Sequence, residues 1–274
     1  MTILLLLTFC MTNPMGPQEQ LDRAVELGKP LVAHVVVALV DNDTQGVLPV
    51  PPTLGNGRDA RNNLYWGALY GVKTFMTKRA GWRRLVHDGK TPDGVLERLV
   101  LTKDITRNGK TIPVYLVAEA WNGQRMEDAL YRFYNIVGGK DKEILKVTAG
   151  DKNFDLECAG NAHITGFVGH NGMMDHDLLE GPKPEARPFP TSAIVLACLS
   201  ESYFHKRLEN LGAYSLLLTN GLMAPEAYTL NAAVTAWFEG QTPAQTHEAA
   251  AAAYHKYQKC GMKGARRLFY TQNR

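Results

Sequence analysis

The stretch "ITGFVGHNGMMD" (164–175) carries an apolar run into a histidine flanked by glycines, and "SAIVLACLS" (192–200) carries a second run into a cysteine. Short apolar, partly β-branched runs bounded by small residues read as buried strands. His170 and Cys198 then stand at strand ends, and if the strands are neighbours both side chains emerge at one edge of the sheet. A thiol facing an imidazole is a nucleophile with its base. A free thiol, with a pKa of about 8.5, is little ionised at neutral pH, and a nearby imidazole raises the thiolate fraction. Gly169, Gly172, Ala197 and Ser200 are small enough for a bound backbone to come close, with Gly172 a candidate for substrate contact. The competing reading of Cys198 is plain burial, since free cysteine is among the most buried residue types.

A second chemistry lies in the same region. "CAGNAHITGFVGHNGMMDHD" (158–177) gathers Cys158, His163, His170, Asp175, His176 and Asp177, and histidine with carboxylate is the ligand set of a hydrolytic divalent-metal site. His163 and His170 have opposite strand parity, so they face opposite sides of a sheet unless a bulge intervenes. "DNDTQG" (41–46) follows another apolar run and offers Asp41, Asn42, Asp43 and Gln45 to a pocket. Asp41 or Asp43 there would favour a Lys or Arg side chain of a bound peptide; the alternative is a solvated turn. Tyr65, Trp66, His34, His205 and His255 read as packing or surface residues.

The elements that must position these groups alternate between strand-length apolar runs and segments of helical period, the pattern of an α/β protein with a largely parallel sheet. "LVAHVVVALV" (31–40) and "IPVYLVAEAW" (112–121) read as core strands, and "RRLVHD" with "LERLVLT" as a hairpin pair. "AHITGFVG", "SAIVLACLS" and "AYSLLLTNG" add three strands. The spacing of Leu64, Ala68, Val72 and Phe75 predicts a helix over 62–78, capped by Asn62 or Asn63. Further helices are expected through "RMEDALYRFYNIVGG", "ESYFHKRLENLG", "APEAYTLNAAVTAWFEG" and "PAQTHEAAAAAYHKYQKCG". The Pro-rich "EGPKPEARPFP" (180–190) is a surface loop, because strands of the same apparent sheet lie on both sides of it. Residues 21–274 are therefore expected to form one α/β domain. Residues 1–20 are read as a signal or disordered segment: "MTILLLLTFC" has the length of an export-signal core but no Lys or Arg ahead of it, leaning towards a periplasmic or extracellular destination.

Composition narrows the partners. A net charge of +3 and the lack of any Lys/Arg-rich run argue against a nucleic-acid partner. No later stretch approaches the roughly 20 apolar residues that a membrane-spanning helix needs. The four cysteines, Cys10, Cys158, Cys198 and Cys260, show no C-x-x-C spacing and no disulfide framework. No cofactor is called for.

A strand running into a His-containing glycine turn, followed by a strand ending in "LACLSESYF", resembles the caspase-like cysteine peptidases that include caspases, legumains, clostripains and gingipains. The resemblance covers about residues 31–240 and rests on those two short motifs. It implies a caspase-type three-layer α/β sandwich with a mostly parallel central sheet, in which the histidine precedes the cysteine and each closes a parallel strand. It also implies a cysteine endopeptidase acting on peptide or protein substrates through a His170–Cys198 dyad, with the backbone amides of Cys198 and of the residue after the histidine holding the oxyanion. Family members usually carry His-Gly where this chain has His170-Asn171. The other readings are a metal-dependent hydrolase built around 163–177 and a non-catalytic α/β binding module, an inactive relative of the peptidases.

Overall fold

β1 (Leu31–Ala38) is buried along its whole length. Leu31, Ala33, Val35 and Val37 enter one apolar cluster, and Val32, Val36 and Ala38 enter another on the opposite face. A strand buried on both faces is what a parallel sheet covered by helices requires. In the computed structural model, which describes residues 15–46, 48–176, 178, 183–185 and 189–272, β1 lies at the centre. It pairs in parallel with β4 (Lys110–Trp121) on one side and β7 (Ile164–Val168) on the other. β8 (Ser192–Leu196) and β9 (Tyr214–Thr219) extend the parallel part, and β10 (Phe269–Tyr270) closes that edge antiparallel.

Beyond β4 the sheet changes character. β3 (Val95–Arg107), β2 (Arg83–His87), β5 (Lys142–Ala149) and β6 (Lys152–Ala159) are all joined by antiparallel ladders, giving a 10-stranded sheet in the order β10-β9-β8-β7-β1-β4-β3-β2-β5-β6. The sheet is therefore mixed, which corrects the expectation of a mostly parallel one. The reason lies in the turns. Asn108 and Gly109, between β3 and β4, both have positive φ (49° and 74°), the requirement of a tight I′-type hairpin, and a two-residue loop can join only antiparallel strands.

Among the described residues seven helices flank the sheet. α1 (Pro17–Glu26), α2 (Val72–Lys78), α5 (Ala227–Phe238), α6 (Pro243–Gln258) and α7 (Met262–Leu268) supply residues to the first cluster; α3 (Met126–Val137) and α4 (Ser200–Asn210) supply the second. The helix expected over 62–78 shrinks to α2. Residues 51–70 form successive turns instead, because Gly67 lies so close to the backbone of Arg61 that a Cβ there would be 1.9 Å from its carbonyl oxygen. Asn63 caps no helix. Its Oδ1 accepts from the Val40 and Tyr65 N–H groups (both 3.2 Å) and its Nδ2 donates to Val40 O at 2.8 Å, so it pins these turns to the exit of β1. α1 starts at Pro17 and buries Leu21 and Ala24; of the segment 1–20 read as a signal or disordered stretch, residues 1–14 lie outside the described residues.

The sheet curls enough for the end of β6 to meet β1. Ala159 N–H donates to His34 Nδ1 at 3.1 Å, and His34 Nε2 lies 3.2 Å from Glu119 Oε1. Glu119 also accepts from Arg98 (2.7 Å), Arg132 (2.8 Å) and Trp121 Nε1 (3.1 Å). Both arginines reach on to Glu143 of β5. His34 and Glu119 are fully buried, so this network satisfies charges that would otherwise be stranded.

Candidate active site

β7 and β8 are parallel neighbours, with Val168 opposite Leu196. His170 and Cys198 each follow that pair by two residues, so they leave the sheet at the same level and with the same parity. Gly169 N–H still donates to Leu196 O at 3.2 Å, holding the two strand ends together past the regular ladder. The glycine is required. Its φ is 153°, and a Cβ would meet the Ala38 carbonyl oxygen of β1 at 2.6 Å.

After Cys198 the chain turns abruptly. Leu199 adopts a left-handed conformation (φ 52°) and α4 begins at Ser200. The turn is fixed from beneath by two buried hydroxyls: Ser200 Oγ donates to Val195 O at 2.9 Å, Thr219 Oγ1 donates to Ala197 O, and Ser200 N–H donates to Thr219 Oγ1 at 3.2 Å. Beside it runs the segment after β9. Leu199 N–H donates to Gly221 O at 2.9 Å, and Met223 N–H points at Cys198 Sγ from 3.4 Å. The thiol is half-buried in this cradle, and the cysteine N–H has no acceptor among the described residues.

Two tyrosines border the thiol. Burial first, then the neighbouring Cys198 and Glu226, hold the Tyr65 hydroxyl protonated well above the ordinary tyrosine range. Tyr254 accepts from Ala224 N–H at 3.2 Å, one residue from the amide that meets the thiol, and burial raises its hydroxyl too. Tyr65 is thus buried in the core, near enough to Cys198 for the thiol to raise its hydroxyl.

His170 exposes a tenth of its side chain, and its Nε2 lies 2.5 Å from Asp175 Oδ2. No hydrogen bond among the described residues reaches its Nδ1 or joins the ring to the thiol. Asn171 is fully buried. Its Nδ2 donates to Cys198 O at 2.6 Å while its Oδ1 accepts from Met173 N–H at 3.1 Å. The residue standing where the resembled family has glycine therefore staples one strand end to the other. Its own N–H has no acceptor among the described residues.

The remaining candidates are placed elsewhere. Asp41 is buried, and its carboxylate accepts from the N–H groups of Asp43 (3.2 Å), Thr44 (3.0 Å) and Gly57 (3.0 Å) and from the Thr44 hydroxyl (2.9 Å). It clamps the loop after β1 and, being buried, is closed to a substrate cation. Asp43 is exposed at an open cleft of about 200 Å³ shared with Asn42, Asn56, Arg58 and Gln124, without contact to His170 or Cys198. Gln45 is buried, donating to Leu39 O and Gly123 O. Gly172 faces α3, where a Cβ would strike Met126 at 2.3 Å, so the structure gives it a packing role away from any substrate.

The alternative metal ligands do not converge. Among the described residues no three His, Cys, Asp or Glu side chains group as a metal site. His163 Nδ1 accepts from Val32 N–H at 3.3 Å and its ring stacks on Phe189 at 4.7 Å, while Asp177 lies outside the described residues. Burial, with Glu143 nearby, pushes the Cys158 thiol up to about 12, the condition of an inert core cysteine. No helix among the described residues is long and apolar enough to cross a membrane. Comparison with protein-family models, with curated proteins and with solved structures gave no match.

Proposed function

We propose that the chain is a cysteine peptidase of the caspase-like type, with Cys198 as nucleophile and His170 as its proton acceptor and donor. The observation that carries this reading is the shared level of the two residues at the ends of adjacent parallel strands. The run of parallel strands β4-β1-β7-β8-β9, closed by an antiparallel β10 and covered by helices on both faces, supports the sandwich that the resemblance implies. So does the sharp turn after Cys198. It sets the thiol at the N-terminal end of α4.

In this reading the Cys198 thiol gives its proton to His170 and the sulfur attacks the scissile carbonyl carbon. The carbonyl oxygen becomes an oxyanion, which accepts from the Cys198 N–H. The second donor that the resemblance implies, the Asn171 N–H, belongs to a residue closed to solvent in this structure. Collapse of the adduct expels the amine, protonated by His170, and leaves a thioester. His170 then takes a proton from water, which attacks the thioester and frees the acid and the thiolate. Of the two acids expected to select a basic side chain, Asp43 alone keeps an exposed position.

The test is cleavage of a broad peptide library by the wild type, Cys198→Ala and His170→Ala. Each variant is expected to lose roughly 10³-fold or more of kcat/KM while keeping a native circular dichroism spectrum. Full activity in Cys198→Ala, with loss on chelation and recovery with zinc, would instead point to a metal hydrolase. No cleavage of any peptide or ester by the wild type would leave the binding-module reading.

A further inference from the structure

Resting on the His170–Cys198 reading, we propose that Asp175 is a positioning residue that fixes the tautomer of His170 and stabilises the ring once it is charged. The geometry around the pair carries this. His170 Nε2 and Asp175 Oδ2 are in hydrogen-bond contact, and the ring is nine-tenths buried while the carboxylate stays more than one-third exposed. The aspartate is delivered by built geometry: the 3-10 turn Gly172–Met174, begun by the Asn171 side chain and closed by Asp175 N–H to Gly172 O at 3.1 Å, folds the chain back onto its own histidine. A Cβ added at Gly46, in the loop after β1, would lie 3.6 Å from Asp175 Oδ1, so this loop runs beside the carboxylate. Among the described residues, no Lys or Arg pairs with Asp175; His170 is its one ionic partner.

The chemistry follows from which ring nitrogen is occupied. A carboxylate 2.5 Å from Nε2 requires the proton on Nε2, which leaves the Nδ1 lone pair as the base. When the Cys198 proton moves to Nδ1, the ring becomes an imidazolium with Asp175 already beside it. The carboxylate takes no proton; it lowers the energy of the charged ring and so raises the share of thiolate.

The experiment compares wild type, Asp175→Asn, Asp175→Glu and His170→Ala in three measurements: the iodoacetamide alkylation rate of Cys198 at neutral pH, with exposed Cys260 as internal reference; the tautomer of His170 from side-chain nitrogen NMR shifts; and the separate kcat and KM for a cleaved peptide. Cys198 is expected to react faster than Cys260 in the wild type. Asp175→Asn should slow it by about tenfold or more, towards the His170→Ala rate, with His170 losing its single Nε2–H form. kcat should fall with KM little changed, and Asp175→Glu should restore part of both rates. Because the carboxylate is partly exposed, melting temperatures should stay close together. If Asp175→Asn matches wild type in rate and tautomer while His170→Ala is slow, the positioning role is overturned and the dyad stands. If Cys198 reacts no faster than Cys260 and His170→Ala changes nothing, the dyad falls and the role of Asp175 with it.

Discussion

Asn171 shows how one side chain can couple two strand ends. Its amide spans from the Met173 N–H to the Cys198 carbonyl, so the turn holding His170 and the turn holding Cys198 share a buried connection. Asn171→Ala removes both bonds and leaves a buried acceptor and donor without partners, a loss of roughly 1–3 kcal/mol. Urea denaturation should show that loss, and Cys198 alkylation should become slower or biphasic as the two turns move independently; unchanged stability would mean that water replaces the amide without cost. His170 and Cys198 were legible because each ends an uninterrupted apolar run. The partnership of His170 with Asp175 was not, since a five-residue separation in a loop carries no periodic signal and the contact exists only through the 3-10 turn. Asp41 misled for a related reason: an acid after a strand looks the same in sequence whether it faces a ligand or satisfies its own turn.

Among the elements, the β5–β6 hairpin is the one the sequence concealed most. Leu145 and Val147, then Leu156 and Cys158, alternate with polar residues as a half-buried antiparallel pair demands, but no run is apolar enough to stand out beside β1 or β8. The 62–78 segment erred the other way. Its apolar spacing matches a helix until Gly67 and Gly71, where close backbone contact demands turns. The hairpin joins the rest of the sheet through a short ladder, Val86 with Thr148 and His87 with Val147, and through the ion pairs of Glu143 with Arg98 and Arg132. Glu143→Gln weakens that attachment. Cys158, protected in the wild type, should then become open to alkylation in the native state while the Cys198 rate stays as it was. Equal protection of Cys158 in both proteins would show that apolar packing alone retains the hairpin.

At the scale of the whole molecule, the buried charges tie acid stability to one carboxylate. Burial alone would raise the Glu119 pKa, but His34 and Arg132 outweigh it and hold the carboxyl well below its ordinary value of 4.5. A folded-state pKa below the unfolded one means that stability from this group is complete above about pH 4.5 and shrinks as pH falls below it towards the folded-state value. Glu119→Gln should cost roughly 3–5 kcal/mol near neutrality by removing the buried carboxylate that Arg98 and Arg132 share, and the difference from wild type should narrow in acid. Denaturation midpoints measured from pH 7 down to pH 3 check this; a constant difference would place the loss in packing.

The position of β1 has a further consequence, for the order in which the chain can fold. Among the described residues β1 is the first strand in chain order, yet its ladders wait for β4, where Leu31 meets Val114, and for β7, where Ala33 meets Ile164. The β3–β4 and β5–β6 pairs close across tight turns and need no distant partner. Local pairs form fast, whereas parallel ladders between distant segments pay loop-closure entropy before any contact rewards them. As the chain emerges during synthesis, β4 is available to β1 as soon as the β3–β4 hairpin forms, while the other edge of β1 still lacks β7. The strand ends that carry His170 and Cys198 are then among the last places to form, because they need β7 against β1 and β8 against β7.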